Sequence, residues 1–186
     1  MNPIPYIAAR LENPPHLEVP TGWNPCETII ADIIERFDVT PNFMLEFGVE
    51  YGFSTSVFAH YFDAVIGVDW FKGDEHSGGK DLYDITADRL RAYRHVAVER
   101  FNYKDWIAGA GEIRADMIHV DIVHTFLDTY RLGRWAVDHS DVVLFHDTLS
   151  FPSVMQAVKL ISAETGISFY NHDNINGLGI LSRKAV

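Results

Sequence analysis

The sequence predicts an α/β protein built on a doubly wound, mostly parallel sheet. Two observations carry this. Short apolar runs alternate with helical stretches from residue 42 onwards, and three of the runs end in acidic or histidine-acid signatures: Val68-Asp69, Val120-Asp121 and Phe145-His146-Asp147. Strands that alternate with helices build βαβ units and pair in parallel.

Each element follows from local chemistry. Residues 1–22 contain Pro3, Pro5, Pro14, Pro15 and Pro20, five of the eight prolines. Proline fixes φ and removes a donor, so this stretch is an extended arm rather than a helix. It could wrap over the domain, close a pocket, cross to another subunit or form a loosely packed leader. Residues 23–186 are expected to form one domain. Asn24 is placed to cap a helix with Pro25 at its first position, and Ile29, Ile30, Ile33 and Ile34 recur at helical spacing before Phe37. Strands are expected at 42–47, 64–68, 95–100, 115–120 and 141–145. Helices are expected at 54–61, 81–93, 123–138 and 153–164. Residues 167–170 and 178–182 read as a closing antiparallel pair, for seven strands in all. A polar, glycine-bearing loop occupies residues 72–80.

Composition narrows the function. Hydrophobic residues make up 47% of the 186 residues and charged residues 22%, an ordinary globular balance. Acidic side chains outnumber basic ones 26 to 15, for a net charge of −11. Phosphate binding needs clustered positive charge, so nucleic acid and anionic membranes are poor partners. The single cysteine, Cys26, excludes an internal disulfide and a multi-cysteine zinc site. A reducing, cytoplasmic setting fits that usage. No apolar run approaches the roughly 18 residues of a membrane span, and the N-terminus lacks a signal-peptide layout.

The first strand runs into Glu46-Phe47-Gly48-Val49-Glu50-Tyr51-Gly52-Phe53-Ser54. In wound sheets, ligands bind beyond the carboxyl ends of strands. Gly48 and Gly52 permit a sharp turn and close approach, and Ser54 falls near a helix N-terminus. A dinucleotide loop would need glycine where Glu50 and Phe53 stand, which argues against a nicotinamide cofactor. Asp69 ends the second strand, 21 residues after Gly48. Its carboxylate could accept two ribose hydroxyls or cap the following loop.

The segment MLEFGVEYGFSTSVFA resembles the cofactor motif of class I S-adenosylmethionine-dependent methyltransferases. Its E-x-G-x-x-x-G-x-S form is similar to the catechol and antibiotic-tailoring O-methyltransferases. The resemblance spans about residues 42–184. It implies a Rossmann-like sheet of seven strands, the last antiparallel. It also implies that Glu46, Gly48 and Ser54 meet the methionine part of S-adenosylmethionine, that Gly52 belongs to the same cofactor loop, that Asp69 holds the ribose, and that Asn102 and Tyr103 lie near the adenine. Trp70, which follows Asp69, could stack beside that base.

Asp121 and His124 fall at the end of the fourth strand, and His146 and Asp147 at the end of the fifth. Adjacent strand ends would bring all four together. Carboxylates with imidazole can hold a divalent cation, Mg²⁺ for oxygen-rich ligation or a softer metal where histidine ligates directly. A hydroxyl needs deprotonation before it can attack a sulfonium methyl, and metal ligation or a histidine base would supply that. The resemblance implies metal ligation by Asp121 and Asp147, with His146 in a position usually acidic and His124 as the base. His119, in mid-strand, reads as a core histidine. The expected activity is O-methylation of a small hydroxylated acceptor. A protein of this fold that binds the cofactor without catalysis is the alternative. A pocket on so small a domain could be completed by a second subunit, as a homo-oligomer.

Overall fold

A computed structural model describes residues 2–73 and 78–184. One eight-stranded sheet organises them: β1 (Ile4–Pro5), β2 (Phe43–Phe47), β3 (Ala64–Asp69), β4 (Val96–Arg100), β5 (Met117–Val120), β6 (Val142–His146), β7 (Ser168–His172) and β8 (Leu178–Ser182). Their order is β1-β7-β8-β6-β5-β2-β3-β4. Only β8 runs against its neighbours, pairing antiparallel with both β6 and β7. The seven expected strands are present with the expected reversal. The eighth comes from the arm, where Ile4–Pro5 pairs parallel with β7. A proline at the outermost strand is tolerated because an edge leaves donors unpaired anyway.

The helices are α1 (Ile30–Arg36), α2 (Phe53–Tyr61), α3 (Tyr83–Leu90), α4 (Tyr103–Gly109), α5 (Phe126–His139) and α6 (Pro152–Thr165). Two differ from the sequence reading. Asn24 makes no cap: the Asn24-Pro25 bond is cis, and a 3₁₀ turn at Cys26–Ile29 leads into α1. Helix α4 was not expected, because its seven residues carry too short a pattern to register. Asn102 caps it, accepting a hydrogen bond from the Lys104 N–H at 2.9 Å.

Side chains alternate across the sheet and give each face its own core. Met44, Met117, Leu144 and Ile180 point to one face, against Ile29, Ile33, Val57 and Phe58. Leu45, Phe47, Ile118, Val120, Val143 and Phe145 point to the other, against Leu132, Ala136, Val158 and Ile161. Tyr6 of the arm, and Trp23 directly after it, are buried in the first core. The arm therefore packs along the domain. Tyr6 donates its hydroxyl hydrogen to Asp32, whose Oδ1 accepts the N–H groups of Ala9 and Arg10 at 3.0 Å each. No helix among the described residues is long and apolar enough to cross a membrane.

Candidate active site

The order of β2, β3, β5 and β6 puts the topological switch between β2 and β5, where wound sheets open a crevice. A cavity of about 650 Å³ lies there. Gly48, Ser54, Asp69, Trp70, Asn102 and Tyr103 line one part, and Asp121, His124, His146 and Asp147 another. Thus ten of the twelve residues singled out from the sequence meet at one cavity. Glu46 and Gly52 do not line it.

Glu46 is fully buried, and its carboxylate is engaged from three directions. Ser54 Oγ donates to Oε1 at 2.5 Å, Thr55 Oγ1 donates to Oε2 at 2.5 Å, and His119 Nδ1 lies 3.0 Å from Oε1. Any effect of Glu46 on a ligand therefore passes through its partners, of which Ser54 lines the cavity. Gly48 has φ +94°, and a Cβ there would lie 1.7 Å from the Asp121 carbonyl oxygen. What Gly48 lets approach is the end of β5. Gly52, at φ +85°, opens α2 in the left-handed region.

Asp69 caps loops on two sides. Its Oδ2 accepts the N–H groups of Val49 and Glu50 at 2.9 Å each, and its Oδ1 accepts the Phe71 N–H at 2.7 Å. A carboxylate has about four acceptor positions, so three are taken and room for one hydroxyl remains. Tyr103 is held by its hydroxyl, which donates to Asp128 at 2.5 Å. Burial and that acceptor both push the phenol's pKa up. Residues 74–77 of the loop after β3 lie outside the described residues.

At the other part, His124 Nε2 stands 2.8 Å from Asp147 Oδ2 and 3.8 Å from Asp121 Oδ1. His146 Nδ1 stands 3.3 Å from Asp121 Oδ2 and 3.2 Å from Asp147 Oδ2. Burial alone would disfavour a charged His124, but hydrogen bonds and charge from Asp121 and Asp147 override it and raise its pKa to about 9. The same contest raises His146. Both carboxyls are correspondingly held down despite their burial, Asp147 to about 2.

Asp121, His124 and Asp147 each offer a ligand atom within 4.8 Å of the others. The two carboxylates of that group fit a divalent cation, with His124 beside them. His146, with only 4% of its side chain exposed, instead braces both carboxylates from the interior. Phe151, missed from the sequence, stacks on the His124 ring at 3.9 Å and 7°. Pro20, Thr21 and Gly22, the last residues of the arm, line the cavity together with Trp23, so of the courses open to the arm it takes one along the pocket.

The chain matches no family model and no curated protein sequence. Solved structures share its fold at low identity. The O-methyltransferase NovP is 14% identical, with a TM-score of 0.66 over 82% of this chain and 75% of its own. TomG, an O-methyltransferase of tomaymycin synthesis from Streptomyces achromogenes solved with SAM, is 16% identical, with a TM-score of 0.61 over 82% and 77%. An O-methyltransferase from Bacillus cereus solved with SAH is 16% identical, with a TM-score of 0.61 over 76% and 74%.

Proposed function

We propose that this chain is an S-adenosylmethionine-dependent methyltransferase acting on a hydroxyl of a small molecule. One observation carries the reading: a single cavity joins the Gly48–Ser54 loop and Asp69 to the Asp121, His124, Asp147 cluster. The first part suits a nucleoside cofactor, the second a hydroxyl that must lose a proton.

In the transfer, the acceptor oxygen forms a bond to the methyl carbon as the carbon–sulfur bond breaks. The electron pair stays on sulfur, and S-adenosylhomocysteine leaves neutral at that atom. His124 takes the hydroxyl proton. Its Nε2 faces Asp147, and Phe151 fixes the plane of its ring. The carboxylates that orient His124 also hold a proton on it, so Nε2 becomes free to act as a base when their charge is drawn away. A divalent cation held by Asp121 and Asp147 would draw it, and would lower the pKa of a hydroxyl bound to it. The neutral wall of Pro20, Thr21, Gly22 and Trp23 would face the acceptor. A cytoplasmic location and a small-molecule partner belong to the same reading. So does the assignment of residues 23–186 as one domain carrying the arm.

Thermal shift tests the cofactor. S-adenosylhomocysteine at 100 times its Kd should add about 2.7 kcal/mol of stability, and NAD should add none. Stabilisation by NAD alone would refute the proposal.

A further inference from the structure

His119 belongs to no step of that reaction, yet it sits where two halves of the site meet. It is fully buried and does not line the cavity. Trp23 Nε1 lies 3.2 Å from its Nε2, and Glu46 Oε1 lies 3.0 Å from its Nδ1. An indole N–H can only donate, so Nε2 must accept. The ring proton therefore sits on Nδ1 and is donated to Glu46. The carboxylate in turn accepts from Ser54 and Thr55 at the start of α2.

The sheet builds this arrangement. Glu46 and His119 are register partners on parallel strands β2 and β5, so their side chains stand side by side on one face. Trp23 closes over them, edge-on to His119 at 5.4 Å and to Phe58 at 5.4 Å. Among side chains, a neutral imidazole is unusual in offering one acceptor and one donor on a rigid ring. An apolar replacement would strand the indole N–H and leave one bond to the Glu46 carboxylate unmade.

We propose that His119 is a positioning residue that couples the seat of the arm at Trp23 to the Ser54 side of the cavity. Naming that side the cofactor's rests on the methyltransferase reading. Trp23 and Ser54 both line the cavity, and a continuous chain of buried hydrogen bonds through His119 and Glu46 joins them. The acceptor wall and the cofactor floor are thereby assembled together, and each ligand favours the arrangement that suits the other.

Three substitutions separate the links. His119→Leu removes both. His119→Asn places an amide near Nδ1 and keeps the donor to Glu46. His119→Gln reaches the Nε2 position and keeps an acceptor for Trp23. Affinity for S-adenosylhomocysteine is read by calorimetry. Seating of the arm is read by amide exchange over residues 17–23, with and without that ligand. His119→Leu should weaken affinity about tenfold, the effect of one lost bond to a charged group, and should speed arm exchange. His119→Asn should recover most of the affinity, and His119→Gln the arm protection. The ligand should slow arm exchange in the wild type and not in His119→Asn. A folded His119→Leu with wild-type affinity and exchange overturns the proposal. If that variant does not fold, indistinguishable Asn and Gln variants overturn it. A wild type that does not bind S-adenosylhomocysteine overturns the methyltransferase reading instead. Arm exchange in the ligand-free variants then still decides whether His119 seats Trp23.

Discussion

Replacing Gly48 with alanine should damage the fold far more than the same change at Gly52, though both glycines have positive φ. At Gly48 the new Cβ would lie 1.7 Å from the Asp121 carbonyl oxygen and 2.6 Å from its carbonyl carbon. Reaching the 3.0 Å below which real Cβ atoms essentially never pack requires a shift of about 1.3 Å. Nothing nearby yields easily. The Asp121 N–H donates to the Phe47 carbonyl at 2.8 Å, and the Gly48 N–H donates to Val68 at 2.9 Å. The left-handed backbone costs about 1–2 kcal/mol. Overpacking against backbone adds about 1–3 kcal/mol. Together the loss is roughly 2–5 kcal/mol, a large share of a typical stability of about 5–15 kcal/mol. At Gly52 the new Cβ meets only side-chain atoms, Leu90 Cδ1 at 3.1 Å and Cγ at 3.2 Å, which need give by no more than a few tenths of an ångström. There the backbone cost of about 1–2 kcal/mol dominates. Urea unfolding followed by circular dichroism measures both. A Gly48→Ala protein within about 0.5 kcal/mol of Gly52→Ala would refute the reasoning, because the backbone clash alone separates the two sites.

Other consequences are equally direct. Asp69→Ala removes the acceptor of three backbone N–H groups, so both the melting temperature and affinity for S-adenosylhomocysteine should fall; a change in neither would contradict its capping role. Burial opposes charge on Asp128, but Lys104, Tyr103 and Thr125 bring its pKa down from 3.8 to about 2. A lowered folded-state value means this stability is complete above about pH 4 and is lost as pH falls toward 2. Asp128→Asn should therefore flatten the acid side of the stability profile, and an unchanged slope in pH-dependent urea melts would count against it. His124→Ala should lower kcat by about 10²–10⁴ while S-adenosylhomocysteine affinity stays near wild type. Equal loss of both would remove the base, and full turnover in EDTA would remove the metal.

Much of the fold was legible because buried parallel strands are nearly continuous apolar runs, as in residues 64–68 and 141–145. The acids at their ends follow from the same pattern, since a strand's last residue is where the chain meets the crevice. What was not legible depended on partners distant in sequence. Asp69 could be read as a ribose ligand or a cap, but its bonds to Val49 and Glu50 arise only when β2 and β3 pair. The purpose of Gly48 was invisible because the atom it avoids belongs to residue 121. His119 was correctly read as a core histidine. Its pairing with Glu46 depends on a register that one sequence does not reveal. The arm's course could not be chosen from proline content, because proline sets an extended backbone without saying what it packs on.

The acidity of the chain changes meaning once its site is seen. Glu46, Asp69, Asp121 and Asp147 looked from the sequence like negative charge waiting for a sulfonium and a metal. In the structure each is already engaged by the protein's own donors: Glu46 by hydroxyls and an imidazole, Asp69 by backbone N–H groups, and Asp121 and Asp147 by two histidines. A charge held in this way attracts a cation less than a bare one. It does not have to move when a ligand arrives, however, so little of the binding energy goes to reorganisation. These acids therefore serve first to fix the shape of the cavity. Of the four, Asp121 and Asp147 are the two paired with histidines at the cavity wall, and they are the two placed beside the proposed acceptor.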